Sequence, residues 1–141
     1  MEPLHLHYDV NGNDFTCAGE ASGKIKRTLK SLGFSPAIIR NVAIAVYEAE
    51  INMVIHAGGG VIDCTIQPDQ ILVVLKDTGP GIPDIEQAMQ EGWSTAPENI
   101  RQLGFGAGMG LPNIKKYSDD LKIDSTVGVG TTITITVRNH P

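Results

Sequence analysis

Three clusters of polar and glycine residues, in fixed order, carry the chemistry this chain could do. Glu48 and Asn52 stand four residues apart in Glu48-Ala-Glu-Ile-Asn52, with His56 four further on. Asp77 leads Asp77-Thr-Gly79-Pro-Gly81-Ile82, and Gly104-Phe-Gly106-Ala107-Gly108-Met109-Gly110-Leu111 follows. A carboxylate and a carboxamide one helical turn apart point into the same groove. The carboxamide oxygen is a hard ligand suited to Mg²⁺, and the carboxylate can orient a hydroxyl for in-line attack on a phosphoryl group. Glycines at 79 and 81 let backbone approach a planar base, where the Asp77 carboxylate can accept from an exocyclic amine and favour adenine over guanine. The run from Gly104 to Gly110 offers successive backbone N–H groups ahead of a helix, an arrangement that binds anions. Together these are the parts that a magnesium-bound nucleotide needs.

The elements that must position these groups are legible in the apolar pattern. Residues 4–10 alternate as a half-buried strand, Asn11-Gly-Asn-Asp14 is a turn, and residues 15–17 read as a second short strand. Residues 18–32 carry Ile25, Leu29 and Leu32 at helical spacing, closed by Gly33. Ser35-Pro36 opens a second helix running to Ala57, apolar around most of its circumference. On it Asn41, Glu48 and Asn52 share an arc of about 40°, a polar stripe that should face a ligand, water or a metal. Gly58-Gly-Gly60 ends it, and residues 61–66 and 71–75 form a hairpin that delivers Asp77. Residues 84–90 read as a short helix and 91–105 as a loop or lid; a helix from 111 to 119 and a hairpin of 121–127 with 131–137 complete the chain. This order implies a single α+β domain over residues 1–141: a two-layer sandwich with a mixed, mostly antiparallel sheet and helices on one face.

Bulk properties narrow the function. With 141 residues and 41% apolar content the chain fits one ordinary globular core. A net charge of -5 argues against a nucleic-acid binder. No apolar run approaches a membrane span, and the start lacks a signal peptide's features. Cys17 and Cys64 have no paired spacing and read as reduced core residues of a cytoplasmic protein. His5 and His7 alternate on a strand and read as edge-strand surface rather than a metal site. The glycine cluster follows a lid, not a strand, so it is no dinucleotide fingerprint, and no P-loop pattern is present.

With these motifs in order, the chain resembles the GHKL ATP-binding superfamily of gyrase, heat-shock chaperones and sensor histidine kinases. Glu48 and Asn52 resemble its N box, Asp77-x-Gly79-x-Gly81 its adenine-reading box, and Gly106-x-Gly108-x-Gly110-Leu111 its phosphate-binding box. Gly130-Thr131 resembles the late motif whose Thr backs up the adenine contact. Within the superfamily the chain is most similar to the small anti-sigma-factor serine/threonine kinases and stressosome switch kinases. Ser94-Thr95-Ala-Pro97-Glu98 resembles their lid, Arg101 a lid arginine at the terminal phosphate, and Gly110-Leu111-Pro112 the switch-kinase branch. Two features depart from the pattern: Gly104-Phe-Gly106-Ala107 lengthens the lid, and Glu50 adds a second acid pointing elsewhere on the helix.

The resemblance implies ATP and Mg²⁺ as cofactors, with Asn52 as metal ligand and Glu48 positioning or deprotonating the substrate hydroxyl. It implies a Ser or Thr on a STAS-domain anti-anti-sigma or stressosome-like protein as target, and leaves a homodimer open. The alternative is a nucleotide-gated binding module that sequesters a sigma factor or activates a phosphatase. A sensor histidine kinase would need a dimerisation hairpin with a phosphoacceptor His, and a gyrase-type or chaperone-type ATPase a second domain; His56 reads as structural.

Overall fold

The computed structural model describes residues 3–11, 19–79 and 110–139. In chain order these form β1 (Leu4–Asn11), α1 (Glu20–Ser31), α2 (Pro36–Ala57), β2 (Gly59–Ile66), β3 (Gln70–Asp77), α3 (Gly110–Tyr117), β4 (Asp120–Thr126) and β5 (Gly130–Arg138). The expected strand at 15–17, helix at 84–90 and lid at 91–105 lie outside the described residues, as does Cys17.

The five strands make one sheet in the order β1-β2-β3-β5-β4. All four pairings are antiparallel, so the mixed sheet left open by the sequence is, among the described residues, purely antiparallel. Period-2 alternation gives the sheet one apolar side. Ile62, Cys64 and Ile66 on β2, Ile71, Val73 and Leu75 on β3, and Ile133, Ile135 and Val137 on β5 are all buried in the core. The helices supply the other layer through Ile25 and Leu29 of α1, Val42, Val46 and Met53 of α2, and Leu111 and Ile114 of α3.

Serine and proline open α2 as the sequence predicts. Ser35 has an extended backbone and its Oγ accepts from the Ile38 N–H, with Pro36 in the first turn. Gly58, at φ 73°, closes the helix in the left-handed region, and β2 begins at once with Gly59.

β1 is an edge strand, and His5 and His7 stand exposed on it. His7 Nδ1 lies 2.6 Å from Asp63 on β2, and this hydrogen bond and charge hold the His7 pKa above its ordinary value. Cys64 is buried in the core, and burial pushes its thiol pKa up to about 12.

α1 begins without a cap of its own, since its N-cap is Gly19. The carboxylate of Glu50, from the middle of α2, supplies one. Its oxygens accept the backbone N–H groups of Gly19 at 3.0 Å, Ala21 at 3.3 Å and Ser22 at 3.0 Å. These are N–H groups that a helix start leaves unpaired, and the helix dipole favours a negative charge there. A carboxylate only 2% exposed is thereby satisfied.

Candidate functional site

The expected site residues that fall within the described structure gather around α2. Glu48 and Asn52 are half-buried, in contrast to Ala45, Ala49 and Met53, which are turned into the core. Asn41 is half-buried as well.

Glu48 faces α3. Partial burial raises its carboxyl pKa above the ordinary value, and a hydrogen bond from the Asn113 side chain pulls it part of the way back. Asn113 was not singled out in the sequence. The signal was there to use: it lies three residues past Gly110 on a helix whose Leu111 and Ile114 are buried against the same core as α2. A polar residue flanking that apolar pair is held next to the neighbouring helix.

Asp77 ends β3, and its Oδ1 accepts two backbone N–H groups, Gly79 at 2.9 Å and Thr131 at 3.2 Å. The first is an Asx turn, the second a clasp onto the start of β5. Gly79 leaves no room for a side chain, because a Cβ there would sit 2.6 Å from the Ala57 Cβ. Gly130, at φ 150°, is as tight, since a Cβ on it would run into the Asp77 carbonyl. The Asp77 turn is therefore pressed against the last residue of α2 on one side and β5 on the other. Thr131 is buried at 7% exposure, with its Oγ1 3.0 Å from Ser125 Oγ.

Along α2 the helical rise puts Asn52 about 6 Å past Glu48, and Ala57 with the Asp77 turn about 7 Å further on. The order is acid, carboxamide, Asp77 turn. Gly110 and Leu111 begin α3. Gly81, Ile82, Ser94, Thr95, Arg101, Gly104, Gly106, Ala107, Gly108 and Met109 lie outside the described residues, as does the side chain of His56.

Residues 16–137 match the histidine kinase-like ATPase domain. The chain belongs to that family. Among curated relatives, this ATPase domain is 32% identical over 112 residues to the serine/threonine-protein kinase RsbT of Bacillus subtilis, covering 77% of this chain and 78% of the relative. It is 34% identical over 104 residues to the anti-sigma F factor of Bacillus licheniformis, covering 70% and 68% respectively. These relatives set the domain in the GHKL anti-sigma kinase branch. Two solved structures share its fold. A chain of the SiaB–SiaC complex of Pseudomonas aeruginosa superposes with a TM-score of 0.64 at 13% identity, over 94% of this chain and 88% of that one. The RsbU and RsbW domains of a Mycobacterium tuberculosis protein superpose with a TM-score of 0.63 at 17% identity, over all of this chain and 34% of that one.

Proposed function

We propose that this ATPase domain is an ATP-dependent serine/threonine protein kinase of the anti-sigma/switch type, acting in the cytoplasm on a STAS-domain antagonist and regulating transcription by partner switching. The observation that carries the reading is the placement of Glu48 and Asn52 on one half-buried face of α2, whose far end clamps the Asp77 turn. The RsbT relative, a serine/threonine-protein kinase by name, supports it.

In this reading Asp77 accepts a hydrogen bond from the adenine amine, with Gly79, Gly81 and Ile82 against the base and Thr131 behind it. The backbone of Gly104, Gly106, Ala107, Gly108, Met109 and Gly110 at the start of α3 holds the phosphates. Ser94, Thr95 and Arg101 belong to a segment that closes over them. The Asn52 carboxamide oxygen is a hard donor of the kind Mg²⁺ takes, so the donor chemistry fits that ion. When bound, Mg²⁺ neutralises charge on the phosphate oxygens. Glu48 accepts the proton of the substrate Ser or Thr hydroxyl as that oxygen bonds to the γ-phosphorus; the bond to the bridging oxygen breaks and ADP leaves. Burial raises the affinity of Glu48 for that proton, which suits a general base.

Incubation with Mg²⁺, ATP and the cognate STAS-domain protein should yield phosphoserine or phosphothreonine on that protein. No transfer to a partner that binds contradicts the kinase reading.

The anti-sigma F factor relative supports a second reading, a nucleotide-gated module that binds a sigma factor or activates a phosphatase. Glu48→Ala separates the two: retained ATP-dependent partner binding with unchanged signalling would favour the module. Sedimentation with and without ATP tests whether the chain forms a homodimer.

A further inference from the structure

The charge of this chain is unevenly spread. Its net charge is -5, with 11 Lys and Arg in all. Four of those cations, Lys24, Lys26, Arg27 and Lys30, stand on α1, against a single acid, Glu20. At 100° per residue the four span an arc of about 160° on the side opposite Ala21, Ser22, Ile25 and Leu29, which are buried. All four are exposed.

This crowding works against the helix. Lys24 with Arg27 and Arg27 with Lys30 are i,i+3 neighbours, and Lys26 with Lys30 are i,i+4, so like charges repel along the face. Among the described residues no carboxylate lies within ion-pair distance of any of them, whereas Lys122 pairs with Asp124 and Arg138 with Asp120. The Lys24 ammonium rests over the Tyr8 ring of β1, 5.8 Å from its centroid. The helix itself is held in place, because Glu50 of α2 accepts three N–H groups of its first turn. Two exposed apolar side chains bound the face. Tyr47 stands at the start of α1, where a Cβ on Gly19 would come 2.7 Å from its ring, and Leu32 stands at the end. Tyrosine and arginine anchors ringed by charge are the make-up of a protein-binding surface.

We propose that the exposed face of α1, centred on Lys26, Arg27 and Lys30, is a docking surface for an acidic polypeptide segment of a partner protein, separate from the nucleotide site. Charge complementarity selects that occupant. A bilayer would need the apolar face of the helix, and Ile25 and Leu29 are fully buried in the core. A nucleic-acid duplex or an anionic bilayer is an extended polyanion, which a chain of net charge -5 repels as a whole. An acidic polypeptide segment meets α1 alone.

The test is fluorescence anisotropy of dye-labelled poly-L-glutamate titrated with the full chain. Wild type should bind saturably at low ionic strength and release the probe as salt rises. The triple variant Lys26→Glu, Arg27→Glu, Lys30→Glu should bind at least about tenfold more weakly. A milder variant, Lys26→Gln, Arg27→Gln, Lys30→Gln, keeps good helix formers and should lose affinity in the same direction while circular dichroism stays that of the wild type. A control, Lys115→Glu, Lys116→Glu, Lys122→Glu, changes the net charge as much as the first variant and should lose far less. Equal loss in the control would show a response to net charge alone and overturn the proposal. So would a folded wild type that ignores poly-L-glutamate, or one that prefers phosphatidylserine vesicles or duplex DNA to it.

Discussion

Glu48 and Glu50 lie two residues apart on α2 and serve opposite sides of it. A step of two residues turns about 200° around the helix, so the side chains diverge. Glu50 is buried and spent on the first turn of α1, where it accepts three backbone N–H groups. Glu48 is half-buried against α3 and meets the Asn113 side chain. One carboxylate ties α2 to the start of α1, and the other stands beside α3.

Replacing Glu50 should cost stability. Glu50→Gln puts an amide donor where backbone donors converge, so at least one hydrogen bond is lost and a repulsion gained. A loss of about 2–3 kcal/mol is expected for a buried charged acceptor. For a domain of this size the melting temperature should drop by about 5–10 °C. Thermal unfolding followed by circular dichroism measures it; an unchanged melting temperature would show that α1 holds its place without this cap.

Glu48→Gln should separate binding from chemistry. The side chain keeps its shape but cannot take a proton, so phosphotransfer should fall by about 10²–10⁴-fold while ATP affinity changes little. Equal loss of both would assign Glu48 to binding the nucleotide rather than to the transfer step.

The same carboxyl gives the reaction a pH signature. Burial raises its pKa above the ordinary 4.5, and Asn113 lowers it again. A general base must be ionised, so activity should rise with pH through that raised value. Asn113→Ala removes the lowering influence and should shift the acidic limb of the rate profile to higher pH. The linkage has the matching sign: a carboxyl with a raised folded pKa adds stability below its unfolded value and loses it as pH rises through the folded one. An acidic limb unmoved by Asn113→Ala would contradict the contact's role.

Gly79→Ala should damage the Asp77 turn. Its Cβ would meet the Ala57 Cβ at 2.6 Å and the Ala57 Cα at 2.7 Å, both on a helix that cannot move aside cheaply. Overpacking of this kind costs about 1–3 kcal/mol, and ATP affinity should weaken by about tenfold or more. Wild-type affinity in this variant would mean that the turn is not pressed against α2.

The Cys64 thiol should be inert while the protein is folded. Burial holds its pKa near about 12, so the nucleophilic thiolate is scarce. In a Cys17→Ser background a thiol reagent should modify Cys64 only once denaturant unfolds the chain. Rapid modification of the native protein would contradict its burial.

Much of this was legible in the sequence because it rests on local chemistry. Ser35-Pro36 and Gly58 bracket α2 through capping rules, and the alternation in β2, β3 and β5 marks their buried sides. The polar stripe of Glu48 and Asn52 follows from helical periodicity alone. What escaped depends on contacts far apart in the chain. Gly19 and Glu50 are separated by 31 positions, so the trans cap of α1 leaves no local signal except the absence of a capping side chain. The Asp77–Thr131–Ser125 row requires β3, β5 and β4 to be neighbours, which is a property of sheet order rather than of any segment. Asn113 likewise gains its role only when α3 lies along α2.

The central claim is a pocket for Mg·ATP built on α2, the Asp77 turn and the start of α3. Isothermal titration of the folded wild-type chain with Mg·ATP tests it most directly. The account predicts saturable binding with one nucleotide per chain, abolished or strongly weakened by Asp77→Asn. Absence of binding by folded protein, or binding indifferent to Asp77, would contradict it.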